Sequence, residues 1–205
     1  MSTSRSSHRA LVTIASLTAL SAFVACKKSE PAADTAATAV APAPDTAKPA
    51  AAAAPAINDA QIAHIVVTAD AIDSAAGALA KQKGASKAVK DFGQTMVTDH
   101  GAVNKQAVAL ATKLNVTPED NDVSKQLKTG ADANIAKLQG LSGAAFDKAY
   151  IDNEVAYHQA VADAMDKTLI PNAQNAELKA LLEKTRPAFG MHLDRAKSIQ
   201  ASLAK

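Results

Sequence analysis

The sequence contains a single cysteine, Cys26, and this scarcity limits the covalent and catalytic chemistry that the chain can carry. One thiol cannot form an intramolecular disulfide, whatever the redox state of its compartment. No cysteine follows residue 26 to serve as a catalytic nucleophile. A glycine-rich phosphate loop and an HExxH motif are also missing, so the sequence gives no indication of a nucleotide site or of a zincin-type zinc site.

The sequence after residue 57 also has no excess of positive or negative charge. Residues 58–205 contain 17 lysines and arginines and 17 aspartates and glutamates, so this part of the chain is neutral. Binding to nucleic acid normally requires a basic patch or stripe. We therefore expect no nucleic-acid partner, and the formal net charge of +2 arises from residues 1–57.

The N-terminus, in contrast, has the three parts of a secretory signal. Arg5, His8 and Arg9 form a basic start, an uncharged apolar run follows from residue 11, and a small residue precedes Cys26. The apolar run of about 16 residues is shorter than the roughly 20 that a membrane-spanning helix requires. A cleaved signal over residues 1–25 is therefore favoured over a transmembrane anchor.

The four residues Phe23-Val24-Ala25-Cys26 resemble a bacterial lipobox, in which the cysteine becomes the lipidated first residue of the mature protein. By the same resemblance, Lys27 in place of an aspartate favours sorting to the outer membrane. A diacylglycerol and an amide-linked acyl chain together exceed the two signals that stable attachment requires. We therefore predict a periplasmic protein whose Cys26 anchors it to the outer membrane.

Residues 26–57 are predicted to form a tether between the anchor and the folded domain. After Cys26 they are almost wholly small, charged or proline residues, and none is aromatic. Such a segment cannot bury enough apolar surface to offset the entropy of ordering. Its prolines favour extended backbone, so we expect a disordered but semi-stiff spacer. The remaining residues, 58–205, are the size of one domain.

Helical periodicity dominates this domain. Apolar residues at steps of three and four predict helices over residues 59–82, 86–114, 120–138, 143–169 and 172–203. Asn58 and Gln61 fit a capping box, and Gly84 is a typical helix stop. Pro171 is expected to end the fourth helix, and Pro187 is expected to kink the fifth.

The predicted elements indicate an all-α fold. Four of the helices are long, and the segment between the second and the fourth could run the length of a bundle. This is the single-crossover arrangement of ferritin-like folds. We therefore expect a ferritin-like four-helix bundle with an additional intermediate helix and a crossover connection.

Each long helix carries one histidine: His64, His100, His158 and His192. On a helical wheel at about 100° per residue, the last three face the interior near the middle of their helices, whereas His64 falls on a flank. Asp99 stands beside His100, and Glu154 precedes His158 by one turn on the same side. Asp73 and Asp147 also lie at or near interior faces. A mixed cluster of imidazoles and carboxylates is therefore expected at mid-bundle.

Two interpretations of this cluster are open. In the first, it binds a small ligand or a transition metal such as zinc, copper or iron, for which imidazole is a suitable ligand. The candidate metal ligands are His100, His158, His192, Glu154 and Asp99. In the second, the histidines are structural, and hydrogen bonds to carboxylates or carbonyls hold the helices in register.

A ferritin-type di-iron oxidase is disfavoured. The di-iron pattern expects a glutamate from each of two helices and Glu-x-x-His from each of the other two. The first predicted helix has no glutamate, and Glu154 and His158 are four residues apart rather than three. We therefore assign no catalytic residue and favour a non-enzymatic protein.

Three segments carry a family resemblance: MVTDHGAVNKQAVALATKLNV at 96–116, LSGAAFDKAYIDNEVAYHQAV at 141–161 and RPAFGMHLDRAKSIQASL at 186–203. Asp99-His100, the run 146–158 and His192-Leu193 are its motif positions. Together they resemble the bacterial family named domain of unknown function 4142. The resemblance covers about residues 58–203 and implies a periplasmic or outer-membrane protein with a ferritin-like helical fold. It implies no reaction, because the family has no assigned one.

The sequence thus predicts a lipid-anchored periplasmic module that binds a metal or small ligand through core histidines. The alternative is a structural or stress-related envelope module whose histidines only pack. Without a metal, burial should depress the pKa of each histidine unless a carboxylate pairs with it. We therefore expect stability to fall as the pH drops from about 6.5 to 5.

Overall fold

The computed structural model describes residues 57–205, and this part of the chain is helical without any β-strand. The prediction of an all-α fold is confirmed. The predicted signal over 1–25, the lipidated Cys26 and the tether up to residue 56 lie outside the described residues.

Four long helices and one intermediate helix make up the domain. Their bounds are Asp59–Lys83 for α1, Lys87–Lys113 for α2, Asp122–Gln139 for α3 and Gly143–Ala164 for α4. A π-helical turn at Met165–Leu169 leads into the short α5, Ile170–Asn172, and α6 spans Ala176–Leu203.

Local sequence signals explain where these helices begin. The Asn58 side chain accepts the Gln61 N–H at 2.8 Å, and the Gln61 side chain accepts the Asn58 N–H at 3.2 Å. This is the predicted capping box, which satisfies two amides that would otherwise lack partners. Asn121 and Ser124 form a second capping box at the start of α3.

The segment after α4 differs from the prediction, because the helical path passes Pro171 and ends at Asn172. In a regular α-helix the proline ring would clash with the carbonyl four residues earlier. Here the Ile170 N–H bonds to the Met165 carbonyl, five residues back, and this wider π turn accommodates the proline. The last long helix begins at Ala176 rather than 172, because the Asn175 side chain caps it.

The helices associate as two hairpins. α1 packs along α2, and α4 packs along α6. α1 also contacts α4, and α2 contacts α6, while α3 lies against α1 and α4. α1 and α2 approach each other closely at Gly77 and Gly93, where an added Cβ on Gly77 would lie only 2.7 Å from the Gly93 carbonyl oxygen.

Two carboxylate contacts connect the hairpins at their turns. Asp147 of α4 accepts the N–H groups of Ala85 and Ser86, both at 2.7 Å, between α1 and α2. Asp59 of α1 accepts the N–H groups before α6, those of Gln174 and Asn175, both at 2.9 Å. Each hairpin therefore supplies the aspartate that caps the turn of the other.

The apolar core consists of two clusters. One includes Phe92, Phe146 and Tyr150, and the other includes Ile62 and Leu182. α1 is apolar enough by length and composition to cross a membrane, with a mean hydropathy of 1.4 over 18 residues. In this structure 44% of that window is buried inside the domain, and Ile62, Ala76 and Ala80 belong to the core. Along each long helix, a short polar stretch separates the residues of one cluster from those of the other.

Candidate metal centre

Three histidine rings meet in the polar layer between the two apolar clusters. His100 of α2, His158 of α4 and His192 of α6 are 2%, 0% and 5% exposed. Their ring centroids are 5.2 to 5.6 Å apart. One ring nitrogen of each histidine lies within 4.8 Å of those of the other two. The structure therefore brings the three predicted interior histidines to one point.

Each ring is held on its outer side by a different acceptor. Nδ1 of His100 lies 2.7 Å from Oδ1 of Asp70, and Nδ1 of His158 lies 3.0 Å from the carbonyl oxygen of Glu154. Nε2 of His192 lies 2.9 Å from Oδ2 of Asp99. A bond of this kind fixes the orientation and tautomer of an imidazole and raises its basicity as a metal ligand.

The other nitrogen of each ring makes no well-aligned hydrogen bond. These nitrogens are Nε2 of His100, Nε2 of His158 and Nδ1 of His192, and all three are buried. An unpaired buried polar group costs on the order of 1–3 kcal/mol. A partner shared by the three rings, which approach one another at ring nitrogens within 4.8 Å, would remove this cost.

Carboxylate oxygens complete this cluster. Oδ2 of Asp73 lies 3.0 Å from Nε2 of His100 and 3.3 Å from Nε2 of His158, yet it makes no well-aligned hydrogen bond with either. Ligands on a tetrahedral zinc with bonds of 2.0–2.1 Å are about 3.3 Å apart. Glu154 stands next to this group, with its Oε2 also unpartnered and 3.4 Å from Nδ1 of His158.

The charges of the metal-free centre are unevenly distributed over the three rings. Burial opposes protonation of His100, but Asp70 and Asp73 on its two sides raise its pKa to about 10. Burial lowers the pKa of His158 to about 4, and burial also lowers that of His192. At neutral pH one charged imidazole therefore lies beside two neutral ones.

The pKa values of the three buried carboxyl groups shift in opposite directions. Burial, reinforced by the charge of Asp73, raises the pKa of Glu154 well above its usual value. Burial also raises the pKa of Asp70. For Asp73 burial acts the same way, but the adjacent His100 outweighs it and lowers the pKa of this carboxyl. Asp73 is therefore the inner carboxylate that stays ionised.

The remaining candidate residues lie outside this inner group. Asp99 contacts the outer nitrogen of His192, and its side chain is 45% exposed. Asp147 caps the turn between α1 and α2, as described above. His64 is partly exposed, with its Nδ1 3.8 Å from Asp120.

The sequence reasoning did not identify Asp70, and it placed Asp73 only at the edge of the α1 apolar face. Both are 1% exposed. The signal was present in the sequence, because these are the only two acidic residues between positions 60 and 80 and they are three residues apart. That spacing puts them on one face of a helix.

Fold and site together define a domain that is all-helical over the described residues and has a buried centre of histidines and carboxylates. The family described as domain of unknown function (DUF4142) matches residues 44–199, and the chain belongs to this family. The resemblance seen in the sequence is thereby confirmed. No curated protein and no solved structure matches the chain.

Proposed function

We propose that this protein binds a transition-metal ion through His100, His158, His192 and Asp73, with Glu154 beside the ion. Two observations carry the proposal: each of the three buried histidines brings a ring nitrogen within 4.8 Å of the other two, and each has one buried ring nitrogen without a well-aligned hydrogen bond. A set of imidazoles with carboxylate suits zinc, copper, iron or nickel rather than magnesium or calcium.

The arrangement of the outer acceptors favours this function over purely structural histidines. Histidines that only pack are expected to use both nitrogens in hydrogen bonds or to expose one to water. Here one nitrogen of each ring is bonded to Asp70, to Asp99 or to the Glu154 carbonyl, and the other nitrogen has no well-aligned partner. This division is typical of metal-ligating histidines, whose second nitrogen is held by a carboxylate or carbonyl.

The surrounding residues prepare and shield the ion rather than react with it. His100 has to release the proton from its Nε2 before that atom can bind a metal, so binding releases protons. The ring of Phe189 lies 5.2 Å from that of His100 and 6.0 Å from that of His158, which excludes water from one side. A bound metal would supply Lewis acidity, or redox chemistry with iron or copper, and we assign no reaction.

The proposal extends to the architecture and the cellular location. The contacts of α1 with α2 and α4, and of α6 with the same two helices, support a ferritin-like four-helix bundle. In it α3 would belong to the crossover connection. The lipobox-like sequence ending in Cys26 supports a periplasmic protein held at the outer membrane. Anchoring would confine the metal to the membrane surface.

Metal content of the full-length protein tests this function. The untagged protein would be extracted from membranes in detergent, and its metals would be measured by mass spectrometry. We expect about one equivalent of a transition metal per chain, and removal of it by a chelator at pH 7 should lower the melting temperature. His158→Gln and His192→Gln should each lose the metal, whereas His64→Gln, a histidine outside the site, should retain it.

The structural alternative predicts a different outcome. The wild-type protein would then take up no zinc, cobalt, copper or iron on titration, and a chelator would leave its melting temperature unchanged. In that case the three histidines would serve packing alone, and the protein would be a structural module of the cell envelope.

A further inference from the structure

The proposed ligands are almost completely buried, so an ion can reach them only along a route through the protein. A cavity of about 410 Å³ lies between α1, α3 and α4, and its lining includes Asp73 and Glu154. We infer that this cavity is the route by which a divalent transition-metal ion enters the centre. The inference rests on the proposed metal-binding function.

The charge of the lining suits a cation. None of the residues around the cavity is a lysine, arginine or histidine, and the acidic Asp73 and Glu154 form one part of its wall. A cation therefore meets no positively charged side chain along the lining itself, and the carboxylate of Asp73 attracts it inward. The charged ring of His100 lies behind Asp73 and has to lose its Nε2 proton as the ion binds.

Oxygen donors are available along this route. The side-chain amides of Gln126 and Asn134 on α3 and of Asn153 on α4 line the cavity. Amide and carboxylate oxygens can replace the water ligands of a divalent cation one at a time. The last oxygens along the path are those of Asp73, within 3.3 Å of the unpartnered nitrogens of His100 and His158.

The helix that covers the cavity is weakly held. Only Ser124 and Leu138, near the two ends of α3, are buried. Gly130, at the middle of the same helix, lines the cavity. An element with few buried contacts opens at a lower free-energy cost than the rest of a domain. Movement of α3 would therefore admit a hydrated ion without unfolding the four long helices.

A second approach to the centre passes Asp99, which is half-exposed beside His192. Asp99, however, contacts the outer nitrogen of that ring, so an ion arriving there faces the back of the ligand. The cavity instead ends at Asp73, which lies beside the inner nitrogens. This difference favours the cavity as the route.

The rate of metal uptake tests the inference. Binding of Co²⁺ to the full-length metal-free protein would be followed by its visible absorbance in a stopped-flow instrument. Ala131→Phe and Ala156→Phe place a ring in the cavity. We expect each to lower the association rate about tenfold or more, with an equilibrium affinity within about threefold of wild type. Ala133→Phe, at an exposed position of α3 that does not line the cavity, is the matched control and should bind at the wild-type rate.

Leu127→Ala removes side-chain volume from the cavity lining instead of adding it, so this variant does not require a large ring to fit. It widens the cavity and should speed uptake. Unchanged rates in Leu127→Ala and in every cavity-filling variant that melts like the wild type would overturn the inference, as would a rate that responds only to Asp99→Gln. If the wild-type protein bound no Co²⁺ at all, the proposed function itself would fail, which is a separate result.

Discussion

Nδ1 of His100 lies 2.7 Å from Oδ1 of Asp70, and both side chains are almost fully buried. Because Asp70 holds this nitrogen, the other ring nitrogen of His100 is turned towards Asp73. Asp70 therefore acts on the proposed metal through His100, without being one of the ligands.

Asp70→Asn should lower the affinity for zinc by about 10–100-fold, because loss of an outer partner typically weakens a metal site by that amount. Competition with a chromophoric chelator would measure the change. Asp147→Asn is the matched control, since it alters another buried aspartate that caps a turn far from the histidines. An equal loss of affinity in both variants would show that Asp70 acts only through stability.

The metal-free protein should lose stability as the pH rises from about 6.5 to 10. The pKa of His100 is raised to about 10, so its stabilising effect is complete below the unfolded value of about 6.5 and is lost as the pH rises through the folded value. The raised pKa of Glu154 acts in the same direction. Urea unfolding in chelator should show a fall on the order of 2–4 kcal/mol. His100→Gln should remove most of it, and a flat profile in the wild type would contradict the assignment.

At acidic pH the titrating groups change the free energy of unfolding in opposite directions. The lowered pKa values of His158 and His192 mean that stability is lost as the pH falls below about 6.5 and passes through their folded values. Glu154 and Asp70, with raised pKa values, favour the folded state when protonated and oppose this loss. The sequence-based expectation of acid destabilisation thus applies to two of the three histidines. Replacing Glu154 with Gln should steepen the acid limb of the same unfolding series.

Gly77→Ala should destabilise the protein by about 1–3 kcal/mol, because the added methyl group would lie 2.7 Å from the Gly93 carbonyl oxygen and force α1 away from α2. Asp73 lies one turn away on the same helix, so zinc affinity should fall as well. Gly101→Ala is the control: nothing lies within 4 Å of its added Cβ, and it should stabilise α2 by about 0.5–1 kcal/mol. Urea unfolding of both variants would measure these changes in stability. Equal stabilities of the two variants would rule out the close contact between Gly77 and Gly93.

Cys26→Ser should abolish membrane attachment and leave either an unprocessed precursor or a soluble periplasmic protein. Fractionation of cells and labelling with palmitate would measure the effect. The melting temperature of the soluble form should match that of the anchored protein, since the change lies far from the helices in sequence. A variant that still labels and sediments with the outer membrane would show that the lipobox interpretation is wrong.

Much of the helical structure is predictable from local sequence, because caps and apolar periodicity are local signals. The Asn58–Gln61 box and the bounds of α1 and α2 agree with prediction to within one residue. The wheel positions of His100, His158 and His192 also follow from periodicity, which tells which face a residue occupies.

The pairing of groups across helices could not be predicted in the same way. Periodicity places a side chain on a face but does not say which helix lies opposite, so the bond between Asp70 and His100 had no local signal. For the same reason the sequence alone could not distinguish Asp147, which caps a turn, from the carboxylates of the site. The π turn at Met165–Leu169 depends on the packing around Pro171 and has no established sequence pattern.

The exchange of capping aspartates between the hairpins has a consequence for folding. Asp59 and Asp147 each complete a turn that belongs to the other half of the domain. A hairpin that separated from its partner would lose the carboxylate that accepts its two turn amides, and its own aspartate would lose both of its donors. The two halves should therefore unfold as one cooperative unit, and the amide hydrogens of Ser86 and Asn175, whose bonds to Asp147 and Asp59 are partly buried, should exchange with solvent more slowly than those of exposed turns.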